Sequence, residues 1–184
     1  MGDLKICVIG GGSTYTPELI EGLIKRKDEL PVVTLALMDI DENRLRVVGG
    51  LVERMVRSAE ADIELKLTTR RREALEGADF VITQIRVGGM ACRIQDEKIP
   101  LRFGVVGQET TGPGGFAKAL RTIPVLLDIA HDMAEVVPGA HLINFTNPSG
   151  IVTEALLRYT DIPTIGLCNS PFGFQQGIAQ QLGV

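Results

Sequence analysis

Residues 5–24 read KICVIGGGSTYTPELIEGLI, and their order is strand, glycine turn, helix. Lys5 to Ile9 is a short β-branched run of the kind buried inside a parallel sheet. Gly10 allows a tight turn, and Gly12 lets the backbone come close to a pyrophosphate. Pro17 suits the first helical position, with Thr16 expected as the N-cap. The helix N-terminus offers unpaired N–H groups and the positive end of its dipole, which together hold phosphate. Gly10, Gly11, Gly12, Ser13 and Thr14 are therefore the candidate phosphate cradle of a dinucleotide such as NAD. The third glycine of GxGxxG falls on Tyr15, so strand and helix should pack less closely there.

Moving outward, the next apolar run ends in Leu37-Met38-Asp39-Ile40-Asp41. A carboxylate at the end of the second strand can accept hydrogen bonds from both ribose hydroxyls and repel a 2′-phosphate, so Asp39 favours NAD over NADP. It lies 27 residues past Gly12, against a usual spacing of about 20. Asp41 is the better candidate for capping the helix that follows.

The strand–helix alternation continues to the end. Strands are expected at Leu4–Ile9, Val32–Met38, Ile63–Thr68, Phe80–Ile85, Ala140–Phe145 and Thr164–Leu167. Helices are expected at Pro17–Lys27, Glu42–Glu60, Arg71–Glu76, Phe116–Val137, Pro148–Tyr159 and Phe172–Leu182, with Pro124 kinking or restarting the longest. Repeated β-then-α order implies an α/β, Rossmann-type doubly wound, mostly parallel sheet. Arg86–Gly115 breaks the rhythm: it holds seven glycines and shows no clear period. A connection that long in a compact domain is usually functional or mobile.

Composition bounds the rest. The 184 residues suffice for one domain, and with no Trp and 4% aromatics the core must be aliphatic. The formal charge of −4 argues against nucleic acid as a partner. The basic run Arg70, Arg71, Arg72 reads as a solvated helix start. No apolar run approaches the roughly 20 residues of a membrane span. Cys7, Cys92 and Cys168 form no CxxC pair, and with no signal segment at the front this suggests a reducing, cytoplasmic compartment.

Four further segments are distinctive: Gln84 to Arg93 (QIRVGGMACR), Gly107 to Phe116 (GQETTGPGGF), Asn144 to Gly150 (NFTNPSG) and Gly166 to Pro171 (GLCNSP). Together with GGGSTYTPEL this set resembles the family 4 glycoside hydrolases, over essentially the whole chain from Ile6 to Phe174. The resemblance implies NAD and a divalent metal, Mn²⁺ by expectation, as cofactors, and a phosphorylated sugar as substrate. It implies cleavage by oxidation at the sugar C3, elimination and hydration, an exception to the two-carboxylate scheme. NAD is regenerated each cycle, and the metal acts as a Lewis acid.

By that resemblance Cys168 matches the metal-ligand cysteine, and Asn147 and Asn169 match residues that hydrogen-bond the sugar. Arg93 matches a substrate-contacting arginine. Glu109 matches a position that tunes the family's tyrosine base, so Asn169 and Glu109 are the candidate catalytic residues. CNSP resembles the Cys-Asn-x-Pro form of the 6-phospho-β-glucosidases, favouring a β-linked substrate. The family's second metal ligand, a histidine beyond the cysteine, has no counterpart, since His131 and His141 both precede Cys168. Its tyrosine base has none either, since Tyr15 and Tyr159 fall outside the matching context. Residues 1–184 are thus expected to be the NAD-binding Rossmann-like domain of a longer enzyme, without its C-terminal catalytic and oligomerisation part, and inactive alone. The full-length form is expected to be a homo-oligomer, a dimer or tetramer. Two other readings stay open: a lactate- or malate-like 2-hydroxy-acid dehydrogenase, and a non-catalytic NAD-binding module.

Overall fold

The computed structural model describes residues 3–184. Six strands, β1 (Leu4–Ile9), β2 (Val32–Met38), β3 (Glu64–Thr68), β4 (Phe80–Thr83), β5 (His141–Asn144) and β6 (Thr164–Gly166), form one sheet in the order β3-β2-β1-β4-β5-β6. All five pairings are parallel, so the doubly wound reading holds. The helices are α1 (Thr16–Lys25), α2 (Glu42–Ser58), α3 (Arg71–Leu75), α4 (Gly89–Leu101), α5 (Gly112–Val136), α6 (Ser149–Tyr159) and α7 (Ser170–Leu182). Strand order reverses between β1 and β4. The crevice outside the carboxyl ends of those strands is where open α/β sheets bind ligands.

The period-2 alternation of β1 serves two cores. Ile6 and Val8 pack with Ile20 of α1 and Leu45, Val52 and Val56 of α2. Cys7 and Ile9 pack on the opposite face with Leu75 of α3, Leu126, Ile129 and Met133 of α5, and Leu156 of α6. Each fully buried aliphatic side chain contributes roughly 1.5–3 kcal/mol. This two-sided burial explains why β1, β2 and β4 read as near-continuous apolar runs, whereas the edge strand β3 alternates and stays largely exposed.

Several local expectations change. The stretch without a period contains α4, a full helix. Its buried residues are Asp96 and Pro100, while Met90, Ile94, Ile99 and Leu101 are exposed. A helix that buries a charge and shows its apolar side chains leaves no amphipathic signal. Helix α5 runs continuously through Pro124 and does not restart there. The arginine run is only partly solvated. Arg70 is exposed and pairs with Glu73, but Arg71 bonds Asp132, and Arg72 reaches Asp132 at 2.9 Å and Glu135 at 2.7 Å, tying α3 to α5. Asp132 collects both guanidiniums because it is largely buried at the α3–α5 contact. Among the described residues no helix is long and apolar enough to cross a membrane.

Candidate functional site

The glycine loop is held from three sides. Gly10 has φ +92°, and a Cβ there would sit 2.6 Å from the Gln84 carbonyl oxygen, so only glycine fits between β1 and β4. The N–H groups of Gly10 and Gly11 both donate to the Met38 carbonyl, at 2.9 and 2.8 Å. Thr16 is not the N-cap, because it is the first residue of α1 and its Oγ1 donates back to the Gly11 carbonyl at 2.9 Å. Gln84 Nε2 donates to Thr16 Oγ1 at 2.7 Å and to the Gly10 carbonyl at 3.2 Å. Thr16 thus braces the loop rather than capping the helix, and Gln84 is a further support that the sequence reading assigned no role.

Asp39 is half-buried beside the loop. Its Oδ2 accepts from Gly12 N–H at 2.9 Å, and its Oδ1 accepts from Asp41 N–H at 3.0 Å. A Cβ on Gly12 would lie 2.8 Å from that Oδ2 and 2.9 Å from Arg44 Cβ, so the glycine is what admits the carboxylate. Asp41 caps α2, accepting from Arg44 N–H at 3.1 Å, as expected. Gly11 and Gly12 are buried, Ser13 half-buried and Thr14 exposed at the loop tip. Ser13 Oγ accepts from Tyr15 N–H at 3.2 Å, an interaction that does not use its hydroxyl proton. A glycine loop entering a helix, with a carboxylate at the end of β2, is a set of groups that fits a dinucleotide.

The loops after β5 and β6 lie along the same sheet edge. Asn144 is fully buried: its Oδ1 accepts from Thr83 Oγ1 (3.1 Å) and Thr146 N–H (3.0 Å), and its Nδ2 donates to Thr153 Oγ1 (3.0 Å). This network sets the turn that carries the half-buried Asn147, whose peptide bond to Pro148 is cis. Ser149 Oγ donates to the Leu167 carbonyl at 3.2 Å, fixing the approach to Cys168. Asn169 Nδ2 donates to Tyr15 Oη at 2.5 Å, across 154 residues of sequence. The Tyr15 ring packs on Phe145 with centroids 5.7 Å apart. Tyr15 therefore lies just ahead of α1 and links the glycine loop to the Cys168-Asn169 turn.

A metal finds less here. Cys168 is exposed, and among the described residues no group of three or more His, Cys, Asp or Glu side chains could hold an ion. One thiol does not make a metal centre. The three thiols should separate by reactivity. Cys7 is fully buried and burial pushes its thiol up to about 12, partly opposed by the Lys5 charge. With a thiol reagent at neutral pH, Cys168 should be labelled first, half-buried Cys92 more slowly, and Cys7 only in denaturant. Mass spectrometry of the labelled peptides checks the order, and early Cys7 labelling would contradict the packing of β1.

Glu109 and Arg93 come together on the α4–α5 side. Arg93 Nη1 bonds Glu109 Oε2 at 2.9 Å, and its Nε bonds Glu97 at 2.8 Å. Arg86 and Lys118 both bond Glu109 Oε1. Burial pulls the Glu109 carboxyl upward, but the Lys118 hydrogen bond and the Lys118 and Arg86 charges outweigh it and hold it below the ordinary glutamate value. A group with a depressed folded value stabilises the fold above its unfolded value, and that contribution is lost as pH falls through the folded value. Acid unfolding followed by circular dichroism should thus show a loss of stability across this window that is shallower in Glu109→Gln. Identical profiles would contradict the ion cluster.

Comparison with known proteins then bears on the site as a whole. The family model described as "Family 4 glycosyl hydrolase" matches residues 5–184. A probable 6-phospho-β-glucosidase of Bacillus subtilis (strain 168) is 58% identical over 184 residues, covering 98% of this chain and 42% of that protein. The structure of the 6-phospho-β-glucosidase from Thermotoga maritima with manganese, NAD⁺ and glucose-6-phosphate superposes with a TM-score of 0.91 at 38% identity. It covers 98% of this chain and 44% of that one. A lactate dehydrogenase from Cryptosporidium parvum aligns with a TM-score of 0.66 at 20% identity, over 100% of this chain and 51% of its own, a likeness of fold alone. The chain spans about 42% of the length of the Bacillus subtilis relative.

Proposed function

The chain belongs to the family 4 glycosyl hydrolases, and from that premise we propose that residues 1–184 are the NAD-binding domain of a longer 6-phospho-β-glucosidase. The observation that carries this reading is the Tyr15–Asn169 hydrogen bond. It joins a dinucleotide loop to the turn bearing Cys168 and Asn169, so a cofactor and a sugar would meet at one sheet edge. A plain dehydrogenase fold explains the loop but not the GQETTGPGG and CNSP segments around it.

In this reading the residues divide the work. Gly10, Gly11, Gly12, Ser13 and Thr14 hold the pyrophosphate, and Asp39 accepts from the adenosine ribose. Asn147 and Asn169 orient sugar hydroxyls, since an amide both donates and accepts. Arg93 faces the substrate with a planar fork, Asn169 acts at the reacting centre, and Glu109 tunes a tyrosine base supplied by the longer polypeptide. Bound NAD would supply a hydride acceptor. Cys168 would give a divalent metal such as Mn²⁺ one of its ligands, the others coming from elsewhere in the longer polypeptide.

The four large apolar residues of α7, Phe172, Phe174, Ile178 and Leu182, are all exposed. They support a further surface that covers the helix, either the rest of the polypeptide or another subunit of a dimer or tetramer. Three free cysteines suit a reducing, cytoplasmic setting.

The 184-residue chain is expected to bind NAD in calorimetry. With NAD and Mn²⁺ it is expected not to hydrolyse p-nitrophenyl β-glucoside 6-phosphate. Absence of NAD binding would sink the reading. Hydrolysis by these residues alone would sink the division between two parts. NADH accumulating with lactate or malate would turn the assignment to a dehydrogenase.

A further inference from the structure

Lys118 stands out among the residues that α5 buries. Its neighbours on that buried face are Gly114, Gly115, Ala119 and Thr122, and it is itself only 2% exposed. A lone buried ammonium costs several kcal/mol unless it is paired and hydrogen-bonded. Its partner is Glu109, carried by the loop between α4 and α5. That loop lies against α4 so closely that a Cβ on Gly107 would overlap the backbone of Glu97.

The cations around Glu109 are not equivalent. Arg86, after β4, and Arg93, on α4, have side chains 36% and 34% exposed, whereas the Lys118 side chain is 3% exposed. Glu97 stands behind Arg93, on its Nε. Long half-exposed guanidiniums can exchange partners with water or a ligand. A buried ammonium on a packed helix has no such alternative.

We propose that Lys118 is a positioning residue, a buried anchor that takes Glu109 Oε1 and fixes the aim of its carboxylate at the candidate site, with Arg86 and Arg93 as the exchangeable partners. The importance of that aim for catalysis rests on the reading of Glu109 given above; the anchoring itself does not. Burial, partly offset by Glu109, holds the Lys118 ammonium below its ordinary value, in keeping with a charge kept buried by its partner.

The test is carboxyl titration of Glu109 by carbon-detected NMR in the 184-residue chain, comparing wild type with Lys118→Met. The midpoint is expected to rise toward the ordinary glutamate value in the variant, with the carboxyl resonance broadened by motion. An unchanged midpoint and resonance in a folded variant would overturn the proposal. Should Lys118→Met fail to fold, the double variant Lys118→Met/Glu109→Gln decides. Recovered folding shows that the lost partner, not lost packing, was the cause. A double variant that also fails to fold assigns Lys118 to packing and overturns the proposal. NAD binding by wild type, measured alongside, separately tests the proposed function.

Discussion

Replacing Asp39 with alanine is expected to weaken NAD binding by at least about 100-fold. Two hydrogen bonds from ribose hydroxyls to a carboxylate contribute roughly 1.5–3 kcal/mol each, and every 1.4 kcal/mol is about tenfold in affinity. A second loss adds to the first. The Asp39 carboxylate also accepts from the buried Gly12 N–H at 2.9 Å, and removing it leaves that donor without its acceptor inside the phosphate cradle. Asp39→Asn keeps the shape and removes the charge, so it should bind less weakly than the alanine variant and narrow the preference for NAD over NADP. Calorimetry with both dinucleotides checks the pair. Unchanged NAD affinity in folded Asp39→Ala would show the carboxylate to be a strut of the loop and nothing more.

Among the described glycines, Gly107→Ala should be the most damaging single added methyl. Its Cβ would overlap the Glu97 carbonyl oxygen and lie 2.6 Å from the Glu97 carbonyl carbon and 2.7 Å from its Cα. All three are backbone atoms of α4, so no flexible side chain can yield. Either the loop lifts away from the helix or α4 shifts, and overpacking of this kind costs about 3 kcal/mol. For a domain of this size that is a drop in Tm of roughly 6–12 °C. Because the same loop carries Glu109, the ion cluster with Arg86, Arg93 and Lys118 should loosen too. Thermal melts measure the first effect, and the Glu109 carboxyl titration measures the second. A variant with wild-type Tm would mean that the loop stands off α4 in solution.

Much of this molecule is legible in local sequence. The glycine loop, Asp39 and Asp41 can be placed because each answers a local backbone demand: a turn, a close approach, a helix cap. Strands β1, β2 and β4 can be placed because burial on two faces leaves near-continuous apolar runs. Helix α4 cannot, since Asp96 is buried against Arg121, with guanidinium–carboxylate contacts of 2.9 and 2.5 Å, while its apolar residues face outward. Its partner lies 25 residues away, and no window of sequence shows that such a pair will form. Arg71 and Arg72 mislead for the same reason, since their acids are on α5, about 60 residues on. Tyr15 reads as a departure from the glycine pattern, and only its contact with Asn169 gives it a place in the site.

By itself the sequence determined the doubly wound α/β class, the dinucleotide loop with its acidic partner, and the family. These depend on periodicity and on backbone geometry over a few residues. Only the tertiary structure decided which polar and charged groups meet: Glu109 with Lys118, Arg86 and Arg93; Gln84 with Thr16; Tyr15 with Asn169. The reason is physical. A hydrogen bond or ion pair acts over about 3 Å, and parallel strands bring together at one sheet edge loops that the chain separates by dozens of residues.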